Sequence, residues 1–360
     1  MTFVIFVTLC NILLKLHDIM TIQIYNTYII KNKQPASRLK KLEKGFVIMA
    51  MKGYEKRIEK TEVLFGIEDE FFGMSRLEAI KIISGILTGD KNNFVHTKEH
   101  GLDTYITKDV YDREWRVTSD SSIRDKNGVY QNGKDRGWGD IIHPELVNND
   151  VELVTPILEN KDLPLYEACI TALKEAGAET SQYNGLHVHC SHDFLGLAEL
   201  KKCIQHMATR QDLLFRFCHV YDDRLGWCEA TSIDLAKSVK KASSMEELKK
   251  MWYGNYTNTD SHYNSTRYAN LNLHSFFEGK GIELRLFNAT LDIDTIRSII
   301  DICQGFTMDA INSYKMAQYV HIDRTVYSNP DRQAQLLETY IDRMKLNKST
   351  KKFLLTNCLW

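Results

Sequence analysis

Four short segments of the chain place polar side chains two residues apart. The pairs are Glu68 and Glu70 in FGIEDEF, His187 and His189 in GLHVHC, Asn270 and Asn272 in RYANLNLH, and Glu283 and Arg285 in GIELRLF. In a β-strand, residues two apart point to the same face. Glu, His, Asn and Arg are residue types that bind divalent cations and phosphate. If these strands share one sheet, its common face is predicted to form a charged cup that binds metal and anions.

The rest of the chain predicts the elements that must position these side chains. Apolar runs bounded by turn residues predict strands over 63–71, 114–118, 151–155, 186–190, 270–273 and 282–287. Capping residues and helical periodicity predict helices over 75–87, 164–176, 294–316 and 331–344, with two more that begin near 194 and 244. A polar, Gly-rich loop is predicted over 120–140, and a basic tail without a clear pattern follows residue 344.

The alternation of residues within the strands favours one type of sheet. Strands of a parallel sheet are buried on both faces and form continuous apolar runs. The strands here alternate, so one face is expected to contact water. We therefore predict an α+β fold with a curved, mostly antiparallel sheet and helices packed on its apolar, convex face. Asp69 is the exception, because alternation points it to the apolar face, and it is expected at the strand end in solvent.

Composition and charge are typical of a soluble enzyme. The 360 residues are 43% hydrophobic and 26% charged, which is enough to bury a core and argues against disorder. A formal net charge of −1 provides no field that attracts nucleic acid or an anionic membrane, so neither is expected as a partner. The 8 cysteines are scattered and form no CxxC pair, which indicates reduced thiols and a cytoplasmic protein. The sequence leaves the oligomeric state open.

The first 48 residues differ in pattern from the rest. The apolar run over 3–14 is too short to span a bilayer, no Lys or Arg precedes it, and no signal cleavage site follows it. Met49 and Met51 stand just ahead of the first predicted strand. We expect translation to begin at one of them, so that 1–48 is an upstream segment; a short membrane-associating anchor is the alternative. The predicted domain covers 49–325, and a C-terminal helix and tail cover 326–360.

Six motifs occur in the order in which they are found in the putative amidoligase family. They are FGIEDEF, the run WRVTSDSS at 115–122, VELVTP, NGLHVHC, RYANLNL and GIELRLFNATLD. Over residues 63–317 the chain resembles this family, which is similar to glutamine synthetase and the glutamate–cysteine ligases. The resemblance implies a glutamine-synthetase-like fold and an enzyme that uses ATP to join a carboxylate to an amine through an acyl phosphate. It also implies two or three Mg²⁺ ions, or Mn²⁺ in their place, on the concave face of the sheet.

The resemblance also implies a role for each matching residue. The implied metal ligands are Glu68, Glu70, Glu152, His187 and Glu283. The implied nucleotide contacts are His189, Arg267, Asn270, Asn272 and Arg285. Arg267 and Arg285 would stabilise charge on the transferring phosphoryl group, and Asp120 would lie near the carboxylate or amine substrate. The implied substrates are amino acids, peptides or cell-wall fragments. Genes of this Lys- and Asn-rich kind occur in bacteria and their phages, so either is expected as the source.

Two other classes of protein remain open. A metal-dependent hydrolase or a cupin-type oxygenase could use His187 and His189 as ligands. Such sites usually need a third ligand at a fixed nearby spacing, and they leave Arg267 and Arg285 without a role. A non-catalytic relative of the ligases could act as a binding protein, although all four carboxylates that the resemblance implies as ligands are present.

Overall fold

The computed structural model describes residues 57–99, 101–190, 193, 195–261, 263–313 and 330–358. Its strands are β1 Phe65–Phe71, β2 Val95–Glu99, β3 Leu102–Lys108, β4 Glu114–Thr118, β5 Val151–Val154, β6 Gly185–Cys190, β7 Leu271–Asn272 and β8 Ile282–Asn288. Its helices are α1 Arg76–Thr88, α2 Leu163–Glu175, α3 Leu197–Phe217, α4 Ile233–Ser238, α5 Met245–Tyr253, α6 His274–Phe277, α7 Ile293–Asn312, α8 Pro330–Arg343 and α9 Lys348–Cys358. The predictions for 1–48, and for the boundary at 325, lie outside the described residues.

The eight described strands form one sheet in the order β2-β3-β4-β5-β1-β6-β8-β7. Every neighbouring pair is antiparallel. The predicted mixed fold with an antiparallel sheet is therefore confirmed. The hairpin β2–β3 at one edge was not predicted from the sequence, because β2 (VHTKE) is largely exposed and offers no apolar alternation.

Strand register places the polar pairs on one face of the sheet. Glu70 of β1 lies opposite Glu152 of β5, and Glu68 of β1 lies opposite His187 of β6. His189 of β6 in turn lies opposite Glu283 of β8. Directly opposed residues of an antiparallel pair point to the same side. Four strands that are far apart in the sequence therefore direct their polar side chains into one shared space, which we call the cup.

The other face of the sheet carries the core. Apolar side chains of β1, β4, β5, β6 and β8 belong to one buried cluster with those of α1, α2, α3 and α7. Two hydrogen bonds also join helices to this side: Gln304 of α7 donates to the carbonyl of Val63, at 2.7 Å, and Tyr166 of α2 donates to Asp69. The helices thus cover the apolar face, and burying it holds the strands, and with them the cup, in register.

Asp69 is the one acidic side chain of β1 that points to the core, and the prediction that it lies in solvent is wrong. It is fully buried, because β1 continues to Phe71 and keeps its alternation. The Tyr166 hydroxyl donates to its Oδ2 over 3.1 Å, and Oδ1 has no partner among the described residues. Burial raises the pKa of Asp69 well above its usual value and so favours the neutral form of the carboxyl.

The sequence predicts some helix ends correctly and others wrongly. Ser75 caps α1 and forms the predicted capping box with Glu78, and Gly89 ends the helix at φ 79°. By contrast, α3 begins at Leu197 after Gly196, later in the chain than the predicted start near 194. The tail predicted to lack a pattern contains α9. Every helix among the described residues is too short or too polar to cross a bilayer.

The buried Asp69–Tyr166 pair leads to a stability prediction. Tyr166→Phe leaves both oxygens of a fully buried carboxyl without a donor, which should lower the free energy of unfolding by about 1–3 kcal/mol. Urea unfolding at pH 7 measures this change. Tyr256→Phe is the matched control, because Tyr256 is 55% exposed, and it should change stability by less than about 0.5 kcal/mol. Equal effects of the two variants would contradict the pairing.

Candidate active site

The cup is enclosed by protein, which corrects the prediction of a water-covered polar face. Glu70 and Glu283 are 3% exposed, His187 is 2% exposed, and Arg285 is 5% exposed. Part of the cover comes from residues 218–270, which connect α3 to β7. In this connection Arg224 donates to the Arg285 carbonyl at 2.9 Å. Charged groups in so enclosed a space interact strongly, because little water screens them.

Glu68 and the two histidines form the centre of the cup. His189 Nε2 lies 3.0 Å from Glu68 Oε1, and His187 Nδ1 lies 3.4 Å from Glu68 Oε2. Burial opposes ionisation of Glu68, but the charges and hydrogen bonds of His189 and His187 outweigh it and hold the pKa of that carboxyl well below its usual value. Burial lowers the pKa of His187 to about 4, so this ring is neutral near pH 7 and has a nitrogen lone pair that can bind a metal ion.

Three groups of side chains in the cup bring metal-capable atoms within 4.8 Å of one another. They are Glu68 with His189 and Glu283, Glu68 with Glu152 and His187, and Glu70 with Asp120 and Glu152. The groups share members and run across the sheet from β8 to the loop after β4. All five predicted metal ligands belong to them, together with His189 and Asp120.

The donor atoms fit a divalent cation. His187 Nε2 is buried without a hydrogen-bond partner among the described residues, and it lies 3.8 Å from Glu70 Oε1. Two ligands of one ion at about 2.1 Å each can be separated by such a distance. Carboxylate oxygens are the ligands that Mg²⁺ prefers, and an imidazole nitrogen extends the set towards Mn²⁺.

Without a cation the carboxylates destabilise one another. Burial raises the pKa of Glu152 well above its usual value, and repulsion from Glu68, Asp120 and Glu70 adds to this effect. Burial and the charge of Asp120 raise the pKa of Glu70 to about 7, although Gly185 N–H donates to its Oε2 at 2.7 Å. A bound cation would remove this penalty, so the repulsion is itself a signature of a cation-binding site.

Arg285 enters the cup at an irregularity in the sheet. Leu186 pairs with Phe287 but Val188 pairs with Leu284, so two residues of β8, Arg285 and Leu286, lie opposite the single residue between them on β6. Such a bulge redirects a side chain. Burial opposes the charge of Arg285, but the charges of Glu283, Glu68 and Glu70 together outweigh it and raise the pKa of the guanidinium.

Glu283 accepts hydrogen bonds from two predicted site residues. Arg285 donates to Oε1, and Asn272 Nδ2 donates to Oε2 at 2.6 Å. Both side chains are buried, so Glu283 and Arg285 form an ion pair shielded from solvent.

The other predicted residues occupy different positions around the cup. Arg267, on the turn before β7, lines a cavity of about 30 Å³ together with Arg285 and Glu68. Asp120 lies at the other end of the cup, with Glu70 and Glu152, and its Oδ1 accepts from the Ser122 N–H at 2.6 Å.

Asn270 is used differently from the prediction that it lines the cup. Its Oδ1 accepts from Thr231 at 2.6 Å, and its Nδ2 donates to Gln211 at 2.8 Å. These bonds tie β7 to α3 and to the covering connection. The side chain therefore holds the scaffold together.

Two cationic residues near the cup were missed in the sequence. Arg224, in the turn YDDRLGW, is 1% exposed, and its guanidinium lies against Gly185 so closely that a Cβ there would be 2.3 Å from Nη1. Lys280 lies in the turn between α6 and β8, flanked by Gly279 and Gly281 at φ 83° and 87°. Both turns are rich in charged residues or glycine and are typical of surface loops, so no sequence signal separated these cations from solvated ones.

Comparison with known proteins agrees with the motif order. A family model described as a putative amidoligase enzyme matches residues 61–307, which is more than half of the chain. The match includes every predicted site residue and the whole sheet. No curated protein matches the chain.

Repulsion in the metal-free cup leads to a prediction for Glu152→Gln. The folded-state pKa of Glu152 lies above its unfolded value near 4.5. At a pH between these two pKa values the wild type takes up a proton on folding, so its stability falls as pH rises through this range. Gln cannot ionise. In the presence of a chelator, the free energy of unfolding of the variant should therefore exceed that of the wild type by at least about 1 kcal/mol at pH 8. The difference should be smaller at pH 5.

Urea unfolding at the two pH values measures this difference. Glu145→Gln is the control, because that side chain is 66% exposed and should show little change at either pH. A wild type as stable as Glu152→Gln at pH 8 would mean that the carboxylates do not repel one another.

Proposed function

Because the chain belongs to the putative amidoligase family, we propose that it is an ATP-dependent ligase that joins a carboxylate to an amine through an acyl phosphate. The observation that carries the proposal is the content of the cup, where four glutamates share one enclosed sheet face with Arg267 and Arg285. Carboxylates bind cations and arginines bind phosphate oxygens, and phosphoryl transfer needs both. We further propose that the sheet is of the glutamine-synthetase type.

The donor set fits two or three Mg²⁺ ions, with Mn²⁺ as the alternative. Glu68, Glu70, Glu152, His187 and Glu283 would hold them, and His189 and Asp120 are within reach of the same groups. Bound there, the cations would neutralise the phosphate oxygens and the carboxylates together.

Each protein group then has a defined task in the proposed reaction. The substrate carboxylate attacks the γ-phosphorus, and the bond from that phosphorus to the β-phosphate oxygen breaks to release ADP. Arg285 and Arg267, at one end of the cup, would stabilise charge on the transferring phosphoryl oxygens. The amine then attacks the acyl carbon, phosphate leaves, and the nitrogen loses a proton.

We assign the acceptance of that proton to Asp120. It is half-buried and lies in the cup next to Glu70 and Glu152. The substrates are proposed to be small-molecule or peptide carboxylates and amines, and the protein to act in the cytoplasm.

The pair His187 and His189 keeps a metal-dependent hydrolase as the second candidate, because both rings lie beside Glu68. A hydrolase would have no use for ATP.

One assay separates the candidates. ADP formation in Mg²⁺ is measured with pools of amino acids and small peptides as carboxylates and amines. We expect ADP to form only when both a carboxylate and an amine are present, and chelation to abolish it. Glu68→Gln should reduce turnover by on the order of 10²-fold or more, because Glu68 belongs to two of the three metal-capable groups. Hydrolysis of a peptide without ATP would instead favour the hydrolase.

Arg285→Lys tests the proposed role of Arg285 in stabilising charge on the phosphoryl oxygens. Its flat guanidinium can contact two phosphoryl oxygens at once, which the point charge of Lys cannot reproduce. We expect kcat to fall by on the order of 10²-fold, while the affinity for ATP changes much less, because the loss is in the transition state. Arg297→Lys is the control. Arg297 lies on α7, where its side chain is half-exposed and pairs with Glu167 of α2. Near-normal turnover of Arg285→Lys would refute the role.

A further inference from the structure

The ring of His189 contacts a polar group at each of its two nitrogens. Its Nε2 lies 3.0 Å from Glu68 Oε1, inside the cup, and its Nδ1 lies 3.0 Å from the hydroxyl oxygen of Ser275. Ser275 lies on α6, is 4% exposed and was not among the predicted site residues. One nitrogen therefore faces the metal-capable groups, and the other faces a buried hydroxyl.

The hydroxyl of Ser275 determines which of these nitrogens can bind a metal ion. A neutral histidine binds a cation through its unprotonated nitrogen, and the other nitrogen carries the proton. Because Nε2 of His189 faces Glu68, the proton belongs on Nδ1, which then donates a hydrogen bond to the Ser275 oxygen. Such an acceptor fixes the tautomer and the orientation of a metal-binding ring.

Ser275 is held in place by Asn272, which lies at the end of β7. Asn272 Oδ1 accepts hydrogen bonds from the backbone N–H groups of His274, at 2.8 Å, and of Ser275, at 3.4 Å. Asn272 Nδ2 donates to Glu283 at 2.6 Å. Asn272 is 2% exposed, so both polar atoms of its side chain are engaged within the protein.

The helix α6 depends on such contacts, because a helix of four residues is not stable alone. His274 supplies a second contact, since its Nδ1 lies 2.6 Å from the hydroxyl oxygen of Tyr253 on α5. The turn that carries Ser275 is therefore tied both to the sheet and to α5. Its hydroxyl has a defined position relative to His189.

We propose that Ser275 is a positioning residue that directs His189 Nε2 towards a cation in the cup. Glu68 and Glu283 would share this cation, because their ligand atoms lie within 4.8 Å of one another and of His189. Asn272 then joins Ser275 to Glu283, a role in orienting ligands rather than the nucleotide contact that the resemblance implies. The proposal rests on the proposed function, since it concerns the cations that the ligase would use.

Calorimetric titrations of the metal-free protein with Co²⁺ and with Mg²⁺ test this role. Imidazole nitrogen suits transition-metal ions and Mg²⁺ prefers oxygen ligands, so a misdirected histidine should affect Co²⁺ most. In Ser275→Ala we expect Co²⁺ to bind about tenfold or more weakly at one site, and the affinity for Mg²⁺ to change by less than about threefold. Ser275→Thr keeps the hydroxyl and should restore Co²⁺ binding. Ser275→Cys has a weakly accepting sulfur, and it carries the test if the alanine variant does not fold.

Ser298→Ala is the matched control. Ser298 on α7 is 3% exposed, and its hydroxyl donates to the Asp294 carbonyl at 2.9 Å, so this variant also removes a hydrogen bond of a buried serine. It should bind both ions as the wild type does. Equal weakening of the two ions in Ser275→Ala, or no weakening of either, would overturn the positioning role alone. A wild type that binds neither ion would refute the metal centre, and with it the proposed ligase function.

Discussion

Mutual repulsion of carboxylates on one enclosed sheet face is the constraint on which the rest of the structure depends. Glu68, Glu70, Glu152 and Glu283 come from two strands at the sheet centre, β1 and β5, and one near its edge, β8, and register alone brings them together. Burying like charges is costly unless they are compensated. The histidines, Arg285 and Arg224 supply part of the compensation, and the donor set leaves the remainder to cations. A fold that keeps such a cup must gain its stability from the opposite face.

The apolar face of the sheet supplies this stability. Apolar and charged side chains are separated between the two faces, and Asp69 is the exception. The helices bury an apolar cluster against one face of the sheet, while the charged side chains of the cup lie on the other face. Asp69 lies on the apolar face instead, where burial raises the pKa of its carboxyl and Tyr166 donates a hydrogen bond to it. Arg224 has the corresponding position on the polar side, where it braces the backbone of Arg285 and occupies the space left by Gly185. The first contact ties β1 to α2, and the second lies across β6 and β8 beside the cup.

What could be predicted from the sequence was what is encoded locally. The two-residue period placed Glu68 with Glu70 and His187 with His189 on common faces, and alternation indicated an antiparallel sheet. What could not be predicted depends on distant partners. Tyr166 lies 97 residues from Asp69, and Asn270 bonds to Gln211 of α3 rather than lining the cup. The enclosure of the polar face by 218–270 was also missed, because a strand pattern reports which side is polar and not what covers it.

The order of strands has a consequence for how the protein is made. β1 lies between β5 and β6, which follow it by roughly 80 and 115 residues, and β8 docks on β6 about 90 residues later still. Sheets built from such distant pairings close their loops before any contact compensates the lost chain entropy, and they fold slowly. During synthesis, Glu68 and Glu70 leave the ribosome long before Glu283. The cup is therefore complete only when β8 arrives, and α7, which covers the opposite face of the sheet, follows β8 in the chain.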